Sequence, residues 1–367
     1  MNNASNCTVL IMAGGSGERF WPLSTKERPK QLLKLIDSNR SLIRMTVDRV
    51  SPLIPAERIF IATNAIQAPA VKEELPEIPL SNIILEPAFK DTAAAIGYSS
   101  IIINDIYPNS VMVVLASDHL IKDEQGFRSA LSTAIEVAES DNAIITLGIK
   151  PTSPETGYGY LQVRAFEDDD NDVTELRIGS GIRIGEPAKV EAFREKPTHL
   201  LAYKYVSDGK HLWNSGMFIF KIPIMLDAFR RLLPDHYSIL MKISSLGDEM
   251  RDIHNATLKE LFNTFEKISI DFGIMEKFEK IFVIPVEFGW SDIGSYPALE
   301  DVFEPNKNAT ITNGTEAKEV NSARNIIIST TGKKISLLGV EDMVIVDTPN
   351  NIMICSKKEA QNIKKLL

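Results

Sequence analysis

Directly after an apolar run at 8–13 the chain reads Ala13-Gly14-Gly15-Ser16-Gly17-Glu18-Arg19, a glycine-rich turn with a cation at its end. Glycines at such a turn let backbone N–H groups approach phosphate oxygens without obstruction by a Cβ. Arg19 and Lys30, the latter within Pro29-Lys30-Gln31, add two charges suited to a triphosphate and the pyrophosphate that leaves it. Ordinary surface charge is the competing reading of both. The turn is not a Walker A loop, because no Gly-Lys-Ser/Thr follows, and its glycine spacing is not that of a dinucleotide fingerprint. Two carboxylates stand out further on. Asp118 closes an apolar run, where an acid has no packing role, and Asp292 lies in the Gly-flanked turn Gly289-Trp290-Ser291-Asp292-Ile293-Gly294. Two hard oxygen ligands are what Mg²⁺ takes from a protein when phosphates and waters fill its other positions. A helix N-cap is the alternative for Asp118, and His119 reads equally as a phosphate contact or a structural imidazole.

These residues need elements that place them. Short apolar runs at 8–13, 58–63, 82–86, 111–117 and 143–149 alternate with helical patterns such as 92–104 and 126–139. That alternation predicts an α/β, Rossmann-like, mostly parallel sheet covered by helices on both faces. In such sheets ligands bind beyond the carboxyl ends of the strands, where Gly14, Glu86 and Asp118 fall. From 151 the texture changes to strand-like runs at 159–165, 182–194 and 217–221, then to helical text over 222–266. The acidic cluster at 167–170 with Asp172 lacks the turn glycine and bidentate Glu of a calcium loop and reads as a solvated hairpin tip. After about 305, short β-rich pieces at 325–329, 334–338, 343–347 and 351–355 suggest a few coils of a β-helix. The expected division is a catalytic domain over 1–305 and a small β domain over 306–367, serving packing or dimerisation in a homodimer.

Bulk properties narrow the function classes. Forty-nine acidic residues against 40 basic give a net charge of −9, which argues against tracking a nucleic-acid backbone. Cys7 and Cys355 lie at opposite ends with no metal or redox spacing and read as unpaired thiols in a reducing compartment. No basic region followed by a long apolar stretch opens the sequence, and its apolar runs are too short to span a bilayer. The expectation is a cytoplasmic protein with neither nucleic-acid nor membrane partners.

The ordered set Gly14-Gly15-x-Gly17-x-Arg19-x-x-Pro22-Leu23-Ser24 and Pro29-Lys30-Gln31 resembles the signature of sugar nucleotidyltransferases. Trp21 and Gln31 are similar to bacterial mannose-1-phosphate guanylyltransferases in particular. Further matches run in order along the chain: Glu86-Pro87, Ser117-Asp118-His119, Thr156-Gly157-Tyr158-Gly159-Tyr160, Glu195-Lys196-Pro197, Trp213-Asn214-Ser215-Gly216, Ser269-Ile270-Asp271 and Gly289 to Ser295. The resemblance implies a glycosyltransferase-A-like fold and Mg²⁺-dependent transfer of GMP from GTP to mannose 1-phosphate. It implies Asp118 and Asp292 as metal ligands, with Gly14, Gly15, Gly17, Arg19, Lys30 and Thr92 on the nucleotide. Lys196 grips the sugar phosphate, while Glu195, Gly159 and Asn214 meet the sugar. Glu86 is the base reader, since a carboxylate can accept from two adjacent N–H donors of guanine. Pro197 predicts an extended backbone at Lys196. Tyr158, Tyr160, Trp213 and Phe218 read as packing.

The chain departs from this pattern at Lys90-Asp91, where these enzymes usually have Arg-Asn, and at Phe272-Gly273, where they usually have Tyr-Ala. Another sugar phosphate or another NTP is therefore the competing enzyme reading. A catalytically silent nucleotide-sensing subunit is the rival of a different class, but none of Arg19, Lys30, Asp118 or Asp292 is lost. Some related chains carry a further phosphomannose isomerase domain. Residues after 306 are too few for it and show no His-rich metal pattern, so a bifunctional enzyme is not expected.

Overall fold

The computed structural model describes residues 6–163, 177–178 and 182–367. The acidic cluster at 167–172 and the end of the run at 159–165 lie outside the described residues.

Strand residues alternate between two apolar clusters, as the two-residue repeat of a strand requires. Leu10, Phe60, Met112 and Val114 join one cluster with the helix Asp91–Ile106 and the pair Ile222–Leu232 and Pro234–Ser244. Val9, Ile11, Ile61 and Val113 join the other with Leu42–Val50 and Glu124–Ser140. Both faces are covered, which is why Cys7–Met12, Val111–Ala116 and Ile144–Ile149 are apolar almost throughout. Ser41 and Asp123 cap two of these helices by accepting from the amides of Arg44 and Gly126.

Nine strands form the main sheet in the order Ile83–Leu85, Ile59–Thr63, Cys7–Met12, Val111–Ala116, His211–Lys221, Ile144–Ile149, Ile281–Val286, Ala188–Arg194 and Tyr160–Val163. The first four are mutually parallel, the Rossmann-like part expected from the alternating pattern. His211–Lys221 then enters antiparallel to both of its long neighbours, and Tyr160–Val163 pairs antiparallel both with Ala188–Arg194 and with the start of His211–Lys221. The expected run at 217–221 is only the end of that long strand. The run at 182–194 divides at Gly185 into Ile182–Arg183 and Ala188–Arg194.

The C-terminal part has the expected β-helix character. Ile311–Asn313, Ile326–Ser329 and Met343–Asp347 stack in parallel, Ile311 opposite Ile326 and Ile326 opposite Val344. Ala317–Val320 and Ile335–Leu338 form a second parallel ladder, and Ile352–Ser356 closes the stack antiparallel. A 3₁₀ segment, Lys357–Leu366, follows and folds back onto the catalytic part. A third apolar cluster joins the two parts, with Phe20, Ile293 and Tyr296 from one and Ile326, Val344, Ala360 and Ile363 from the other. Among the described residues no helix is long and apolar enough to cross a membrane.

Candidate active site

The glycine turn is held from behind through its carbonyl oxygens. Gln31 Nε2 donates to the carbonyls of Ala13 at 2.9 Å and Gly15 at 3.2 Å. Gln67 Nε2 also donates to Gly15 O, at 3.2 Å, and Thr63 Oγ1 to Ala13 O, at 3.2 Å. With the carbonyls tied back, the N–H groups of Gly14, Gly15 and Ser16 keep no partner among the described residues and are available to an anion. Gly17 has φ +62°, and a Cβ there would stand 2.4 Å from the Lys30 backbone nitrogen. Glycine at that position therefore lets the turn close over Lys30.

Lys30 is 6% exposed and its ammonium is spoken for. Nζ donates to Asp118 Oδ2 at 2.8 Å and to the carbonyl oxygen of Asp292. The two acids, 174 positions apart in sequence, meet because Trp290–Ser291 pairs antiparallel with Leu120–Ile121, Ser291 opposite Leu120. Burial is the largest single influence on Asp118 and raises its pKa, but the Lys30 charge and hydrogen bond, together with His119 and a backbone hydrogen bond, hold it below the usual carboxylate range. Tyr158 does more than pack: its hydroxyl donates to Asp292 Oδ1 at 2.8 Å. His119 has a structural partner and also lines the cavity described below. Its Nδ1 accepts from Trp290 Nε1 at 3.1 Å, and the two rings meet edge to face. Behind this turn Arg49, 2% exposed, donates to the His119 carbonyl oxygen at 3.5 Å; burial lowers its pKa to about 10.

Arg19 is exposed, and its Nη1 donates to Gln361 Oε1 at 3.2 Å. A cavity of about 430 Å³ opens between the turn, Arg19, Lys30, Asp118 and Asp292, and Lys364 lines it as well. Two residues of the C-terminal part thus reach the site, although the sequence after 306 shows no chemical constellation. An i, i+3 pair of polar side chains in a short terminal segment looks like any solvated surface.

Glu86 follows Ile83–Leu85, and its amide donates to Thr63 O at 2.8 Å. Its Oε1 lies 3.2 Å from where a Gly14 Cβ would stand, and burial pushes its pKa up to about 8. It borders two adjoining hollows. One, of about 450 Å³, is shared with Gly14, Gln67 and Phe89; the other, of about 260 Å³, is shared with Asp91, Thr92 and Asp118. Thr92 faces the second; its hydroxyl accepts from the Ile270 amide at 2.8 Å, which leaves its O–H able to donate. Lys90 donates to the Asn263 carbonyl at 2.6 Å and does not line either hollow.

Gly159, Glu195, Lys196 and Asn214 come together on the other side of Tyr158. Lys196 Nζ lies 3.1 Å from Glu195 Oε1, and a Cβ on Gly159 would stand 2.5 Å from Glu195 Oε2. The extended backbone expected at Lys196 is not found: its φ is +46°. The chain turns there immediately after the strand Ala188–Arg194, and Glu276 Oε1 holds the turn by accepting from the Glu195 amide at 3.0 Å. The preference imposed by Pro197 yields to that tertiary bond. Asp271, matched in the sequence only as part of Ser269-Ile270-Asp271 and given no role there, joins this group. Its Oδ1 accepts from Asn214 Nδ2 at 3.0 Å, and burial, reinforced by nearby Glu195, pushes its pKa up to about 7. Only its place in Ser269-Ile270-Asp271, an acid set among apolar residues, could have marked it.

Cations and free backbone donors border one cavity, the hollows beside Glu86 adjoin it, and a polar cluster gathers at Asn214. On this sheet these are the groups a nucleotidyl transferase requires. The Nucleotidyl transferase family model matches residues 8–308, and the MannoseP isomerase/GMP-like beta-helix domain model matches 319–367. Mannose-1-phosphate guanylyltransferase 2 of Escherichia coli O157:H7 is 34% identical over 98% of this chain and 72% of its own length. The alginate biosynthesis protein AlgA of Pseudomonas aeruginosa is 30% identical over 98% of this chain and 71% of its own. A crystal structure from Thermus thermophilus, described as a mannose-1-phosphate geranyltransferase, superposes with a TM-score of 0.83 at 30% identity over 98% of both chains. The chain belongs to the mannose-1-phosphate guanylyltransferase family of nucleotidyl transferases.

Proposed function

We propose that the protein transfers GMP from GTP to α-D-mannose 1-phosphate, forming GDP-mannose and pyrophosphate, with Mg²⁺ held by Asp118 and Asp292. The observation that carries this reading is Lys30 Nζ lying between the Asp118 carboxylate and Asp292 beside a turn with free backbone donors. Lys30 engages one Asp118 oxygen and only the backbone carbonyl of Asp292, and both side chains line one cavity, so carboxylate oxygens remain there for a divalent cation. Among the described residues no group of three or more His, Cys, Asp or Glu could hold a metal ion, so phosphate oxygens and water would have to complete the coordination. When bound, Mg²⁺ would neutralise charge on the α-phosphate.

The rest follows from the chain's own groups. Glu86 takes the base. Gly14 to Gly17, Arg19 and Lys30 take the phosphates. Lys196 draws the acceptor phosphate toward them, with Glu195, Gly159 and Asn214 on the sugar. An acceptor phosphate oxygen attacks the α-phosphorus in line as the bond to the β-phosphate oxygen breaks, and pyrophosphate departs with that electron pair. A phosphate monoester, with a second pKa of about 6, is already largely dianionic at pH 7, so no general base is needed. Alignment and charge neutralisation supply the rate.

Pyrophosphate release across a matrix of NTPs and sugar 1-phosphates with Mg²⁺ tests the pairing. The highest kcat/KM is expected for GTP with mannose 1-phosphate; no signal with that pair overturns the substrate assignment. Asp118→Asn should lose most turnover with an unchanged circular dichroism spectrum, and near-normal turnover overturns the metal role.

A further inference from the structure

We propose that the segment Lys357–Leu366 is part of the active site: Lys364 supplies a cation to the β- and γ-phosphates and the departing pyrophosphate, and Gln361 positions Arg19. The inference rests on nucleotidyl transfer at the site described above.

A 3₁₀ helix has three residues per turn, so side chains at i and i+3 eclipse. Ala360 and Ile363, 1% and 2% exposed, form the buried row of this segment. They lie in the apolar cluster that also holds Phe20 and Ile293, the immediate neighbours of Arg19 and Asp292. Gln361 and Lys364 form the next row, and burial of the first row directs the second toward the site. Gln361 is bound at both ends, accepting from Arg19 Nη1 at 3.2 Å and donating from Nε2 to Ser295 Oγ at 3.2 Å. It thereby ties the arginine to the turn that follows Asp292. A free Arg19 would sample many rotamers; the amide fixes one without neutralising the charge, as a carboxylate would.

Lys364 lines the 430 Å³ cavity with Gly17, Arg19, Lys30, Asp118 and Asp292. It lines neither of the hollows that Glu86 borders. Lys364 therefore sits on the glycine-turn side of the site, away from Glu86, and it also borders a larger hollow of about 830 Å³ with Ser16 and Glu18. Lys30 is paired with Asp118, whereas Lys364 makes no ion pair among the described residues. An unpaired ammonium on a cavity that Gly15 and Ser16 also line, their N–H groups free, is placed to meet an incoming polyphosphate.

The test uses the full chain and two probes, inorganic tripolyphosphate binding by calorimetry and pyrophosphate release. Lys364→Met should weaken tripolyphosphate and lower kcat/KM for GTP, each about tenfold, as expected for one lost charge-assisted contact. The thermal midpoint and the KM for the sugar phosphate should stay unchanged, and Lys364→Arg should recover most of the loss. Wild-type values in Lys364→Met for both probes overturn the cation role. Gln361→Ala should raise the KM for GTP a few-fold in the wild-type background and do nothing further in Arg19→Ala, since coupled residues are not additive. Full additivity overturns the positioning role. Absence of wild-type turnover with every NTP and sugar phosphate overturns the nucleotidyl-transfer reading itself, whereas an active wild type matched by its variants overturns the inference alone.

Discussion

Glu86 carries two tasks that its sequence position alone does not reveal. A carboxyl group pushed up to about 8 is protonated at pH 7 in the empty protein, yet it must be ionised to accept from two donors of one base. In the proposed role of Glu86, base binding would therefore release a proton. GTP affinity should rise with pH until about 8 and level off above, and calorimetry in buffers of different ionisation enthalpy would count the proton. The same group costs stability as pH rises. Its folded pKa lies above its unfolded value of 4.5, so the folded state holds more protons between those values and stability falls across that window. Glu86→Gln should remove the Glu86 contribution to both slopes. It should also lower kcat/KM for GTP about 10- to 100-fold, the scale of a lost charge-assisted hydrogen bond. An unchanged pH slope would remove Glu86 from the base pocket.

At the scale of elements, the first strand and the turn after it were legible because glycine, lysine and aspartate have no packing reason to follow apolar runs. What was not legible is how distant pieces register. The two-stranded ribbon of Leu120–Ile121 with Trp290–Ser291 is too short to announce itself in sequence, yet it sets Asp118 beside Asp292. The Tyr158 hydroxyl looked like packing because an aromatic ring reads as apolar wherever its partner is far along the chain. Lys196 illustrates the reverse case, a local rule overridden by a tertiary bond. Two substitutions check this level. Tyr158→Phe should lower kcat about tenfold, one hydrogen bond to a charged group, with little change in thermal midpoint. Gly17→Ala meets both φ +62° and a 2.4 Å approach to the Lys30 nitrogen, a strain of about 1–3 kcal/mol. Activity should fall further than stability does, because the displaced group is Lys30. A fully active Gly17→Ala would show that the turn tolerates reopening.

At the scale of the whole molecule, the change of texture near 305 marks a change of architecture but not a mechanical division. Phe20, Leu35, Ile293 and Tyr296 bury themselves against Ile326, Val344, Met353 and Ile363. Removing 306–367 would bare that apolar surface beside the phosphate turn. Scanning calorimetry of the full chain should therefore show one cooperative transition, and two resolved transitions would separate the parts energetically. The truncated 1–305 chain should be inactive and prone to aggregate.

This shared cluster also bears on how such chains can be recombined. The apparent seam near 305 is not a place where halves from two relatives can be exchanged as cassettes. A graft that takes its β coils from another source also takes the residues that press on Phe20 and Ile293, and with them the posture of Arg19 and Asp292. The functional cut instead runs through three separate stretches, the first glycine turn, the turn around 292 and the final 3₁₀ segment, which must travel together from a single parent.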